Sequence, residues 1–216
     1  MSRSRHLVIF TRLPRLGTGK RRLARDIGAL AALDFQRRNL TALLQRLAPP
    51  RFSPPWRVWL ALTPDGAAKG RGLDPVIGRF LNKGRVKILA QGGGDLGVRM
   101  GRIFTRLPPG PAVIIGSDIP AITTDMISTA FAQLGDRDFV FGPAGDGGYW
   151  LVGAARRRPM GRNPRGGLFS GVRWSTADAL ADTLANLEKS ESAGFIDRLD
   201  DIDDGAAYRR WRLEAG

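Results

Sequence analysis

The chain alternates between short apolar segments and longer segments in which apolar residues recur at helical spacing. Short, continuous apolar segments rich in β-branched and aromatic residues are typical of strands inside a sheet. The segment PAVIIG is the most apolar of them, which suits burial on both faces. We expect the central sheet to include strands at about 6–10, 56–62, 86–90, 111–116 and 138–142, with a further strand at 149–154 after a glycine turn.

The longest helical pattern runs from about Leu23 to Leu47, and the proline-rich segment 49–55 ends it. Residues 66–82 are ambiguous, because their glycines weaken any helix. The tail from about residue 176 has a helical pattern that is interrupted near residue 194.

Two further helices carry recognisable start signals. Residues 95–107 form a helical pattern that Asp95 is placed to cap, and residues 123–134 form another with Thr123 or Thr124 as the cap. Strands that alternate with helices predict an α/β protein with a mainly parallel sheet. No repeat or domain boundary is evident, so we expect one domain over residues 1–216.

Composition excludes several classes of chemistry. The chain has no cysteine, which rules out disulfides and thiolate sites, and its one histidine, His6, flanks the first strand and argues against a histidine-rich zinc site. No segment approaches the roughly 20 apolar residues that span a bilayer. We therefore expect a cytoplasmic protein that does not enter a membrane.

The formal net charge of +14 predicts attraction to polyanions such as nucleic acid, nucleotides or acidic membrane surfaces. Basic residues without any acidic one occupy 3–25, a second basic cluster occupies 156–165, and aspartates crowd 197–204. The loop-like segment 156–167 is the best candidate for mobility. The chain has no helix-turn-helix, zinc-finger or RNA-binding signature, and aromatic residues are not interleaved with the basic clusters, so nucleic acid is not the expected partner.

A glycine-rich basic segment, FTRLPRLGTGKRRLA (10–24), follows the first predicted strand. It is not a Walker A loop, because Arg21 stands after Gly19-Lys20 where that motif has Ser or Thr, and Pro14 stands where it has its first glycine. Amides at a helix start together with arginines form an anion site, while a solvated basic loop explains the same residues equally well.

Aspartates in three places are candidate ligands. Asp118 ends the most apolar strand, where α/β sheets bind ligands, and a metal role is favoured over a helix cap because Mg²⁺ binds carboxylates together with phosphate oxygens. Asp201 and Asp203 would face one side of an extended backbone, as metal ligands or in an exposed turn. Asp146 lies in the glycine-rich segment 141–153, which by itself favours a hairpin turn.

Together these motifs resemble the bacterial glycosyltransferase-like proteins related to 2-phospho-L-lactate guanylyltransferase, within the nucleotide-diphospho-sugar transferase (GT-A) superfamily. The resemblance spans nearly the whole chain in order. It is carried by FTRLPRLGTGKRRL (10–23), QGGGDLGVRM (91–100), IGSDIPAIT (115–123), FGPAGDGGYWLVG (141–153), LFSGVRWST (168–176) and LDDIDD (199–204).

The resemblance implies a three-layer Rossmann-like domain with a nucleotide over the carboxyl ends of the strands. It implies that Lys20, Arg22 and Asp118 are catalytic, and that Asp118, Asp201 and Asp203 hold Mg²⁺ or Mn²⁺. The family usually has Lys-Thr-Arg where this chain has Lys20-Arg21-Arg22. The implied nucleotide contacts are Phe10, Arg12, Gly17, Lys20, Arg22 and Ser117, and the implied contacts to the second substrate are Asp146, Gly147 and Gly148.

The expected activity is metal-dependent nucleotidyl transfer from a nucleoside triphosphate to a small phosphorylated, acidic acceptor. Metal and basic groups neutralise charge while the acceptor attacks, so no protein nucleophile is needed. A glycosyltransferase that uses a nucleotide sugar is the second hypothesis in the same fold. The sequence is also compatible with a nucleotide-binding protein without activity and, in a different class, with a basic nucleic-acid-binding protein.

Overall fold

The structure, a computed structural model, describes residues 4–48, 55–69, 72–73, 75–82, 84–157 and 167–214. Seven strands form one sheet in the order β3-β2-β1-β4-β6-β5-β7. The strands are β1 (Arg5–Arg12), β2 (Trp56–Thr63), β3 (Val86–Ala90), β4 (Ala112–Gly116), β5 (Phe139–Pro143), β6 (Tyr149–Ala154) and β7 (Ala193–Phe195).

The strand order reverses between β1 and β4. From β1 the chain adds β2 and then β3 on one side, all parallel, whereas β4 pairs with the opposite edge of β1, also parallel. Phe10 near the end of β1 and Gly116 at the end of β4 are direct neighbours. This is a topological switch point, where the carboxyl ends of open α/β sheets leave a crevice for ligands.

The remaining strands make the sheet mixed rather than fully parallel. Strand β6 runs antiparallel to both β4 and β5, and β7 pairs parallel with β5. The turn between β5 and β6, residues 144–148, is the predicted glycine turn. It therefore lies at the same edge of the sheet as the end of β4.

Eight helices lie in the described part of the chain. They are α1 (Arg21–Ile27), α2 (Ala29–Leu47), α3 (Asp65–Ala68), α4 (Pro75–Asn82), α5 (Leu96–Arg106), α6 (Thr124–Gln133), α7 (Ala179–Ala185) and α8 (Gly205–Glu214).

The helical predictions hold in part. Asp95 Oδ1 accepts from Val98 N at 2.8 Å and caps α5, and the hydroxyl of Thr123 accepts from Met126 N at 3.2 Å and caps α6. The predicted single helix at 23–47 is wrong, because Gly28, with φ 88°, separates α1 from α2.

The tail also differs from its helical pattern. Gly194, expected to interrupt a helix, lies in β7 and pairs with Val140 of β5. The ambiguous segment 66–82 contains most of the short helix α3 and all of α4.

Helices cover both faces of the sheet, which explains why the strands are continuously apolar. On one face Leu7 and Ile9 of β1 belong to a cluster with residues of α2, α4 and α6. On the other, Val8 packs with Ile103 and Phe104 of α5 and with residues of α7. Adjacent residues of one strand are therefore buried on opposite sides, as the three-layer prediction requires.

His6 is not peripheral. It lies within β1, fully buried, and its Nδ1 accepts a hydrogen bond from Trp59 Nε1 at 3.2 Å. Burial lowers its pKa, so the ring is neutral and serves packing. None of the helices described here is both long and apolar enough to cross a membrane.

The second basic cluster is partly structural. Arg156 donates hydrogen bonds to the carbonyls of Leu107, Pro108 and Gly110, and Arg157 donates to carbonyls at the end of α6. The rest of the cluster, and residues 158–166 of the segment predicted to be mobile, lie outside the described residues.

Candidate active site

The loop between β1 and α1 turns the Lys20 side chain back toward the sheet. Gly17 and Gly19 have φ values of 75° and 77°, and Lys20 itself has φ 43° as the cap of α1. Positive φ is readily adopted by glycine but is uncommon for lysine, so the conformation of Lys20 is imposed by its surroundings.

Those surroundings are three carboxylates. The Lys20 Nζ lies 2.6 Å from Asp203 Oδ1 and 3.1 Å from Asp118 Oδ2. Asp201 Oδ2 lies 3.6 Å from the same nitrogen. The lysine side chain is only 4% exposed, whereas each carboxylate is about half exposed. The ammonium is therefore enclosed by acids that themselves still face the crevice.

A backbone contact explains how residues so distant in sequence meet. Asp118 lies two residues after the end of β4, and its carbonyl accepts a hydrogen bond from Ile202 N at 3.2 Å. The Ile202 side chain is buried with Leu23 and Phe35, which fixes the acidic segment against α1 and α2. Anchoring of Ile202 thus places the aspartates on either side of it beside the end of β4.

The charges in this cluster influence one another. Burial opposes the charge of Lys20, but its three acidic neighbours outweigh burial and raise the lysine pKa. Burial raises the pKa of Asp201 to about 6. The charge of Lys20 opposes this rise, and the charge of Asp203 adds to it. Burial also disfavours ionised Asp203, but the charge and hydrogen bond of Lys20 outweigh it and lower its pKa. One ammonium thus leaves the three carboxylates with an excess of negative charge.

The donor set fits a hard divalent cation, which prefers carboxylate oxygens. Within the described residues, however, no group of three or more acidic or histidine side chains already stands in a metal-holding arrangement. The carboxylates surround Lys20 instead. The predicted convergence of Asp118 with Asp201 and Asp203 is present, while their role as metal ligands stays a prediction.

On one side of this cluster lies a polar cavity of about 150 Å³. The predicted nucleotide contacts Phe10, Arg12, Lys20 and Ser117 line it. The hydroxyl of Ser117 is oriented by Thr11 Oγ1 at 2.8 Å.

Two of the predicted nucleotide contacts lie elsewhere. Gly17 lines a separate basic cavity, of about 260 Å³, together with Arg21 and Arg25. Arg22 is exposed on α1, close enough to Asp203 to favour its ionised form.

On the other side lies a larger, mostly apolar cavity of about 280 Å³, which shares Phe10 and Asp118 with the polar one. The two cavities therefore meet at the carboxylates. In the predicted turn, Asp146 and Gly148 line the larger cavity, and Asp146 Oδ1 accepts from Gly148 N at 3.0 Å.

Gly147 lies against the chain rather than on the cavity wall. A Cβ on Gly147 would overlap the carbonyl oxygen of Ala177, so only glycine fits there. The role of this residue is close packing of the turn onto the segment after Trp174.

Local sequence patterns assign no role to several residues of the site. Gln91 is buried and donates to the carbonyls of Thr11 and Ala61, which ties together the ends of β1 and β2. Its side-chain oxygen accepts from Arg99, whose guanidinium lies 5.7 Å from the ring centre of Phe10. The conspicuous QGGGDLGVRM segment was the sequence signal that could have pointed to Gln91 and Arg99. Their contacts with β1 and β2 join distant parts of the chain, so no local pattern predicts them.

The family follows from direct comparison. Residues 51–176 match the model of DUF2064, described as an uncharacterized protein conserved in bacteria. The chain belongs to the DUF2064 family. No curated protein matches this DUF2064 chain.

Several solved structures share this fold. A Desulfovibrio desulfuricans protein proposed to be a nucleotide-diphospho-sugar transferase is 25% identical, with a TM-score of 0.76 over 94% of this chain and 84% of that one. A 4-diphosphocytidyl-2C-methyl-D-erythritol synthase from Anaerococcus prevotii is 10% identical, with a TM-score of 0.59 over 98% and 96% of the two chains.

A mannosyltransferase from Pyrobaculum calidifontis, solved with GDP-mannose and Mn²⁺, is 11% identical, with a TM-score of 0.58 over 100% of this chain and 61% of that one. The predicted Rossmann-like fold of nucleotide-diphospho-sugar transferases is therefore confirmed. The finer relation to 2-phospho-L-lactate guanylyltransferase stays a prediction.

Proposed function

We propose that this protein is a divalent-metal-dependent transferase whose donor is a nucleoside triphosphate or a nucleotide sugar, with residues 1–216 as one catalytic domain. The observation that carries the proposal is the enclosure of the Lys20 ammonium by three carboxylates at the switch point of the sheet. A cation site at that position, between a polar and an apolar cavity, suits the transfer of a group between two substrates.

Asp118, Asp201 and Asp203 would hold Mg²⁺ or Mn²⁺, which supplies charge neutralisation for the phosphates of the donor. Lys20 keeps these carboxylates together while no metal is bound. With a metal held by these carboxylates, the Lys20 ammonium would be available to the polar cavity, which it already lines with Arg12. There, lysine and arginine donate hydrogen bonds to phosphate oxygens.

Nucleotidyl transfer from a nucleoside triphosphate is the first candidate, because the basic loop and Arg22 provide positive charge for a triphosphate. Glycosyl transfer from a nucleotide sugar is the second. The observation that favours it is the aromatic wall of the larger cavity, with Tyr149 and Trp174 beside the carboxylates. The mannosyltransferase with the same fold was solved with a nucleotide sugar and a divalent metal together, GDP-mannose and Mn²⁺.

Thermal unfolding with a panel of nucleoside triphosphates and nucleotide sugars, with and without Mg²⁺ or Mn²⁺, tests the proposal. A ligand that binds only the native state at 100 times its Kd adds about 2.7 kcal/mol, or a rise of several degrees in Tm. We expect such a rise only with nucleotide and metal together. The nucleotide series that gives it, triphosphates or nucleotide sugars, separates the two candidates.

A pair of double variants locates the nucleotide. Replacing Arg12, which lines the polar cavity, and Arg22, which lies near Asp203, with alanine should abolish the rise, because both would be close to the phosphates of a donor bound beside the carboxylates. Replacing Arg79 and Arg106, which lie on α4 and α5, removes the same charge elsewhere and should leave the rise intact. If both double variants respond alike, the positive charge acts only as a general attraction and the proposed site is wrong.

A further inference from the structure

We propose that the 280 Å³ cavity receives an uncharged, hydroxyl-bearing acceptor, and not the small phosphorylated acceptor that the sequence resemblance implies. The inference rests on the proposed function, because it names the second substrate of the same site. Two features of the cavity carry it: the sign of its charges and its aromatic wall.

The charges that line the cavity are all negative. Among the described residues, its charged lining consists of Asp118, Asp146 and Asp201, with neither lysine nor arginine. The basic side chains Arg12 and Lys20 line the smaller, polar cavity. The two sides of the carboxylate cluster therefore differ in charge. Phosphate is attracted to the polar side, and a second anion on the other side would face carboxylates at short range.

Asp146 contributes most to this asymmetry. Lys20 pairs with Asp118, Asp201 and Asp203, and a metal ion would neutralise those same carboxylates. Asp146 lines the cavity outside these ion pairs. It therefore remains as the group that an acceptor meets.

The body of the cavity is apolar and aromatic. Phe10, Leu96, Met100, Tyr149 and Trp174 line it. Such walls bind carbon frameworks, while a few polar groups set orientation. A ligand with C–H faces, such as a sugar ring or a polyol, matches this surface better than a compact phosphorylated acid.

Trp174 is a fixed part of this wall. Its ring is held between Tyr149 and Phe169, with ring centres 6.2 Å from each. Its indole nitrogen is buried among protein atoms, so the ring contributes apolar surface to the cavity. An ionised carboxylate only accepts hydrogen bonds, so a hydroxyl group, which can donate one, suits the part of the wall that Asp146 forms.

Ligand-observed NMR on the full chain can measure the preference with matched pairs: glucose against glucose 6-phosphate, and glycerol against glycerol 3-phosphate. A chelator is present, so that no metal bridges a phosphate to the carboxylates. In at least one pair the neutral member should bind about tenfold more tightly, the factor expected for like charges about 6 Å apart at an intermediate dielectric.

Substitutions at Asp146 should change this preference in a graded way. Asp146→Asn keeps the shape and should reduce the discrimination, whereas Asp146→Lys should reverse it in favour of the phosphate ester. Asp136→Lys makes the same charge change on an exposed turn outside the cavity and should keep the parental preference.

The inference is overturned if the esters bind as well as the alcohols, if neither member of any pair binds, or if Asp146→Lys leaves the preference unchanged. Its failure is distinct from failure of the proposed function. Metal-dependent nucleotide binding with a preference for phosphate esters would leave the function and remove the neutral acceptor. Alcohol binding without any stabilisation by nucleotide would remove the proposed function and leave a cavity that binds neutral alcohols.

Discussion

The carboxylate cluster makes a prediction with opposite signs for two neighbouring aspartates. In metal-free protein at pH 7, Asp201→Asn should stabilise the fold, because burial and nearby charges raise the pKa of Asp201 from 3.8 to about 6 and disfavour its ionised form. Asp203→Asn should destabilise it, because Lys20 favours the charged form of Asp203 and lowers its pKa. Both substitutions are nearly isosteric, so the loss of charge is the main difference between each variant and the parent.

The magnitude for Asp201 follows from its pKa. The rise in the pKa of Asp201 from 3.8 to about 6 corresponds to roughly 3 kcal/mol. The Asp201 side chain is 42% exposed, so solvent screening reduces this value, and we expect a gain of about 1 kcal/mol. For a chain of this length that is a rise of about 2–4 °C in Tm.

The sign also fixes the pH dependence. The folded state holds the proton of Asp201 more tightly than the unfolded state, so its ionisation penalty is fully present above about pH 6 and disappears toward pH 4. The gain from Asp201→Asn should therefore shrink as pH falls from 6 to 4. The stability that Asp203 provides at neutral pH is instead lost on acidification, as its lowered pKa requires.

Urea unfolding in the presence of a chelator, at several pH values between about 4 and 7.5, measures both effects. Repeating the measurement with Mg²⁺ tests the metal site. Each variant lacks one proposed ligand, so Mg²⁺ should raise its free energy of unfolding less than it raises that of the parent. The reasoning is refuted if the two variants shift stability in the same direction at pH 7, or if the gain from Asp201→Asn does not depend on pH.

Other substitutions test the remaining features of the site. Lys20→Met should destabilise the metal-free protein by about 2 kcal/mol, because three partly exposed carboxylates lose their counter-charge, and calorimetry should show that it binds Mg²⁺ more tightly than the parent does. An unchanged Mg²⁺ affinity would show that the ammonium does not compete with the metal. Gly147→Ala should cost more than about 2 kcal/mol in urea unfolding, because its Cβ meets the Ala177 carbonyl. Gly171→Ala, also at positive φ but with open space around it, is the matched control and should cost only about 1 kcal/mol. Asp95→Ala removes the cap of α5 and should lower stability by about 1 kcal/mol, which thermal or urea unfolding would reveal.

Much of the fold is local enough to be read from the sequence. The continuous apolar segments became buried strands, and the α/β alternation became a sheet covered on both faces. The caps Asp95 and Thr123 were predictable because a cap depends on residues only three positions apart. The same local reasoning failed at Gly28 and Gly194, where packing of α1 against α2 and pairing with β5 decided the outcome.

The site divides in the same way. The sequence marked Lys20, Asp118, Asp201 and Asp203 as separate groups with both a functional and an ordinary interpretation. Their contact arises only because crossover connections place the ends of β1 and β4 side by side and the buried Ile202 anchors the acidic segment there. In the free protein Lys20 pairs with carboxylates because the fold brings them close to it in space. The Coulomb energy of two charges depends on the distance between them in space. Their separation along the chain does not specify that distance.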